Sequence, residues 1–104
     1  MKKSFFLTLA FVPLLALSQE ATPDLIRQYK SALAEGCRAQ AVKQQTPPKR
    51  ADQICTCISR VLDRELSGSE WKQVTEFAMY SKREDEARLM SNYAAKTVPC
   101  HSAN

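Results

Sequence analysis

A chain of 104 residues with 44% hydrophobic and 25% charged side chains has room for one domain, and it fits neither wholesale disorder nor a large sheet with crossover helices. Two glycines are too few for an all-β chain, which needs many tight turns. The formal charge is +4, from 15 bases against 11 acids, but two of those bases lie at the extreme N-terminus.

Met1-Lys2-Lys3 is a short positive segment, and residues 5–17 form an apolar run interrupted only by Thr8 and Pro13. Ala16-Leu17-Ser18 then places small residues at the two positions a signal peptidase inspects. The apolar run has 13 residues, short of the ~20 that a helix needs to cross a bilayer, so an uncleaved anchor is disfavoured. No cysteine lies near the cut, which speaks against a lipoprotein. The expectation is a cleavable signal peptide over 1–18, cut between Ser18 and Gln19, and one mature domain over 19–104. The two lysines and compact apolar core are bacterial in style, which makes the destination the periplasm or the exterior. Nothing after residue 18 is long and apolar enough for a membrane span. Cleavage removes Lys2 and Lys3 and lowers the charge to +2. The remaining basic pairs, Lys49-Arg50 and Lys82-Arg83, are isolated beside acids and lack the aromatic interleaving of a nucleic-acid surface.

Thr22-Pro23-Asp24 reads as a helix start, with Thr as N-cap, Pro at the first helical position and an acid in the first turn. Leu25, Ile26, Tyr29, Leu33, Cys37 and Ala41 follow at three- and four-residue spacing, one face of an amphipathic helix. Gly36 interrupts it, either for close packing or as a weak point, and Thr46-Pro47-Pro48 ends it. A second helix is expected from about 49 to 66, with Ile54, Ile58, Val61, Leu62 and Leu66 as its apolar stripe. Ser67 and Glu70 have the capping-box spacing, and Leu66 and Trp71 fall where a hydrophobic staple closes over the new helix. Helix three then buries Trp71, Val74, Phe77 and Ala78. Ser81 to Glu84 repeats the capping-box spacing, and a fourth helix would carry Ala87, Met90, Tyr93 and Ala94 inward and stop before Val98-Pro99. A single bent helix over 70–97 is the competitor, and the tail 99–104 is expected to be irregular beyond its cysteine. The fold class is therefore all-α, a small three- to four-helix bundle, of a size that commonly needs staples.

Four cysteines in a small exported domain read as two disulfides. On helix two, Cys55 and Cys57 point about 200° apart, so they reach different neighbours rather than each other. If the first two helices turn about Pro47-Pro48, Cys37 lies nearly opposite Cys57 and somewhat off Cys55. Both contacts are feasible; the closer one gives Cys37–Cys57 with Cys55–Cys100 as the expected pairing. A soft-metal site for copper or zinc from Cys55, Cys57, Cys100 and His101, with Met79 and Met90, is a rival, but it lacks the C-x₂-C spacing. Redox exchange through Cys-Thr-Cys is a third reading, without the C-x-x-C signature. No metal or other cofactor is expected.

No catalytic constellation is legible. His101 is the sole imidazole and sits near the end of a tail. Glu84-Asp85-Glu86 suits a helix N-terminus, and Arg60, Asp63, Arg64 and Glu65 read as a solvated face with local ion pairs. What remains is recognition by surface shape: an exported, non-catalytic protein-binding module of the immunity or inhibitor type, with a metal-binding protein or a small stress chaperone as alternatives. That class rests on analogy of size and compartment.

Overall fold

The computed structural model describes residues 19–102. The expected signal peptide, with Ser18, lies outside the described residues. The described chain is all-helical: α1 (Pro23–Lys43), α2 (Pro48–Glu65), α3 (Gly68–Met79), α4 (Arg83–Ser91) and α5 (Ala94–Ser102). Helix α2 packs against both α1 and α5, while α3 packs against α4 and α1.

The first helix starts as its sequence dictates. Thr22 is extended, its Oγ1 accepts the Leu25 N–H at 3.2 Å, and Pro23 occupies the first turn. Its end is set before the prolines. Gln45 adopts φ 61°, the Gln45 N–H donates to the Val42 carbonyl and the Thr46 N–H to the Ala41 carbonyl, which is the pair of bonds of a Schellman cap. Pro47 and Pro48 then start α2 rather than stop α1.

At the next joint both halves of the capping box form: Ser67 Oγ accepts the Glu70 N–H at 3.1 Å, and Glu70 Oε1 accepts the Ser67 N–H at 3.0 Å. Leu66 and Trp71 are buried on either side of it, as a staple requires. The core consists of Leu62, Leu66, Trp71 and Val74, with Ile26, Tyr29, Leu33, Ile58, Leu89, Met90 and Tyr93 packed around it.

The C-terminal third departs from expectation. Ser81 does not cap α4. It sits at φ 56° and closes α3 with a second Schellman cap, its N–H bonded to the Ala78 carbonyl and the Lys82 N–H to that of Phe77. Lys82 precedes α4 with no side-chain cap. This left-handed residue also breaks the single bent helix that was the competing reading.

Starting at Arg83, α4 turns Glu86, Leu89 and Met90 inward, with Tyr93 in the following joint completing the i, i+3, i+4, i+7 set, while Ala87 and Ala94 are exposed. The chain then tightens through i→i−3 bonds at Asn92 and Tyr93. A fifth helix follows and runs through Pro99 where an irregular tail was expected. Proline removes only the bond to the Ala95 carbonyl, and the cross-link at Cys100 holds the segment to α2. Among the described residues the bundle therefore has five helices instead of three or four.

Candidate functional site

The four candidate cysteines are all bonded, in the connectivity opposite to the expected one. Cys37 pairs with Cys55 (Cα–Cα 5.8 Å) and Cys57 with Cys100 (5.6 Å), both inside the usual disulfide range. The cause is the turn. Because α1 ends at Lys43, the link to α2 is residues 44–47, centred between Gln45 and Thr46 and not on the two prolines. The register moves by about one helical turn, so Cys37 faces Ile54 and Cys55 instead of Cys57. The expectation that Cys55 and Cys57 reach different neighbours holds: Cys55, 1% exposed, bonds toward α1, and Cys57 bonds toward α5. The thiolates that a soft-metal site would need are bonded to one another.

His101 lies at the rim of a groove of about 180 Å³ beside the Cys37–Cys55 bridge, with Gln40, Ala41, Gln44 and Thr46. Its carbonyl accepts from Arg50 at 2.8 Å. Met90 packs against the core cluster. Among the described residues, no group of three or more His, Cys, Asp or Glu side chains converges as metal ligands would.

Gln19, on the mature side of the expected cut, begins a segment held down on α3. Tyr80 donates to the Gln19 carbonyl at 2.5 Å, the Ala21 N–H donates to Glu76 Oε2 at 2.9 Å, and Glu20 pairs with Lys72 at 2.8 Å. Ala21 is buried. The Ala21 N–H, followed by Lys72, holds the Glu76 carboxyl below its usual range. The sequence reading missed this clasp, because a backbone donor 55 residues away leaves no pattern in the chain.

The charged residues read as a solvated face partly reach across the fold. Asp63 pairs with Lys30 on α1 at 2.8 Å, and Glu65 with Lys96 on α5 at 3.3 Å as well as with Arg64 at 3.4 Å. Lys96, then Arg64, keeps the Glu65 carboxyl below its ordinary range. The Lys30 ammonium also lies 4.6 Å from the centre of the Trp71 ring, and Tyr29 meets the same ring edge-on at 6.4 Å. The Trp71 indole N–H finds no acceptor among the described residues, a cost borne by the large apolar area that the ring buries.

Of the acidic run, Asp85 pairs with Arg88 at 3.0 Å and Glu86 accepts the Tyr29 hydroxyl at 2.7 Å. Burial first, then the Glu86 bond and charge, push the Tyr29 phenol well above its ordinary range. Tyr93 donates to Glu70, which holds that carboxyl low, with the Ser67 N–H as a second cause.

A groove of about 330 Å³ lies between α3 and α4, with Phe77 and Leu89 in its wall and Glu70, Asp85 and Arg88 among its polar groups. Such a surface can seat a side chain of another molecule; each perturbed group around it already has a partner within the fold. Among the described residues, no helix is long and apolar enough to cross a membrane. Comparison with protein-family models, with curated proteins and with solved structures yields no match.

Proposed function

We propose that this is an exported protein, periplasmic or secreted, that acts without catalysis by binding another protein, in the manner of an immunity protein or an inhibitor. The observation that carries the reading is the use of all four cysteines as cross-links of α2 to α1 and to α5. Disulfides persist in oxidising compartments, which accords with the signal-like N-terminal sequence. A scaffold braced in this way presents a fixed surface at low ordering cost on association. Stability that does not depend on a ligand suits a protein that waits for its target.

The test begins with the oxidised protein as bait in an exported-protein fraction, followed by reconstitution with the purified partner. The expected result is one partner, bound stoichiometrically, whose activity falls when the complex forms. A protein that carries copper or zinc at one ion per chain, with reduced cysteines by mass, overturns the reading in favour of metal binding. Suppression of aggregation of many unrelated clients overturns it in favour of a chaperone.

A further inference from the structure

Helix α5 is attached differently from the other helices. Of its nine residues only Cys100 is buried, and it is the one helix of the described residues that sends no side chain to the core cluster. Val98, its large aliphatic side chain, is 61% exposed. Pro99 costs it a backbone bond from within.

Helix α5 packs along α2 and is tied to it by the Cys57–Cys100 bridge, the Lys96–Glu65 ion pair at 3.3 Å, and the Arg50 bond to the His101 carbonyl at 2.8 Å. The latter two are at the surface, where such contacts hold a segment weakly. Helix α1 is the opposite case. Its Cys37–Cys55 bridge is backed by Ile26, Tyr29 and Leu33 packed on the core, so α1 has apolar reasons to stay in place without the cross-link.

Each bridge is buried at one cysteine and half-buried at the other, and each borders a recess; the one at Cys57, about 350 Å³ with Asp52, Gln53, Thr56 and Arg60, is wider and more open than the one of about 180 Å³ beside Cys37 and Cys55. The Arg60 guanidinium there favours the approach of a thiolate and the departure of another.

We propose that the Cys57–Cys100 bridge is a redox latch: a dithiol reductant that enters this groove frees α5 from α2 while α1 to α4 stay folded. One thiolate of the dithiol attacks Cys57 Sγ and expels Cys100 as the thiolate. The second thiolate then attacks the mixed disulfide and releases Cys57. The dithiol leaves as its disulfide, the cysteine pair has gained two electrons, and two protons complete the two thiols. Release uncovers the side of α2 that Cys57 shares, by helical spacing, with Val61.

The test titrates the oxidised full chain with dithiothreitol under native conditions, traps thiols by alkylation, maps them by mass, and follows amide hydrogen exchange at each step. Cys57 and Cys100 are expected to be labelled while Cys37 and Cys55 remain bridged. At that step the amides of 94–102 should exchange ~100-fold faster or more, at the rate of an unstructured segment, while those of α1 to α3 remain protected above that rate. The double variant C57A/C100A should show the same pattern without reductant, and C37A/C55A should keep α5 protected. The proposal is overturned if Cys37–Cys55 opens first, if α5 stays protected once Cys57 and Cys100 are labelled, or if protection collapses throughout at that step. Should C57A/C100A fail to fold, the titration of the native protein decides the matter alone.

Discussion

Gln45 and Ser81 each hold a left-handed backbone at the end of a helix, φ 61° and 56°, where glycine is the usual occupant. A side chain there costs roughly 1–2 kcal/mol, and glycine would give back about 0.5–1 kcal/mol of that through the freedom it adds to the unfolded chain. Gln45→Gly and Ser81→Gly should therefore each raise stability by up to ~1 kcal/mol. Urea unfolding checks this: the midpoint rises and the slope stays constant. At Tyr29 the effect is one of pH. Its phenol is raised above the ordinary tyrosine range by burial and by Glu86, so the folded state keeps the proton after the unfolded chain has lost it. The stabilisation is complete below about pH 10 and is lost as pH rises further toward the folded value, because the unfolded state then binds fewer protons than the native one. Unfolding midpoints measured between pH 9 and 11 should fall, and Tyr29→Phe should flatten that fall.

Among the elements, α1 carries the plainest weak point. Gly36 is exposed in the middle of the helix, and a Cβ built on it meets nothing within 4 Å. Close packing is therefore not the reason for it. Gly36→Ala is expected to stabilise the protein by about 0.5–1 kcal/mol, read from the thermal midpoint, since it adds helix propensity and no clash. Helix boundaries were legible in the chain wherever a side chain makes the cap. Thr22 and the Ser67–Glu70 box both form as their spacing implies. The bounds of α2, flanked by prolines, also fell within a residue of those expected, but the ends closed by a left-handed residue, at Gln45 and Ser81, were not legible. At Ser81 the same S-x-x-E spacing that marks a true box at Ser67 sits over a helix end, because the Schellman bonds of α3 claim the Ser81 and Lys82 N–H groups first.

For the whole molecule, the two bridges together contribute about as much as the net stability itself. Closing loops of 18 and 43 residues is worth roughly 3 and 4 kcal/mol in the chain-entropy picture. A domain of this size has a net stability of only about 5–10 kcal/mol. Full reduction of both bridges with excess dithiol at neutral pH should therefore remove most of the helical circular dichroism at 25 °C or bring the unfolding midpoint close to zero denaturant. C37A/C55A alone should lower stability by ~3 kcal/mol and leave the fold intact, since α1 keeps Ile26, Tyr29 and Leu33 on the core.

Residue types and their spacing were enough, without coordinates, to establish an all-helical chain, the starts of α1 and α3, the staple of Leu66 and Trp71, and the use of the cysteines as two cross-links from opposite sides of α2. Each of these depends on neighbours within a few positions or on the fixed angular step of a helix. The tertiary structure alone decided which cysteine meets which, that the tail forms α5, and that Glu76, Asp63 and Glu65 hold distant segments together. The physical reason is register. Where α1 stops is set by one left-handed glutamine that no composition rule singles out, and a shift of two residues at that turn carries every cross-helix pairing by a full turn.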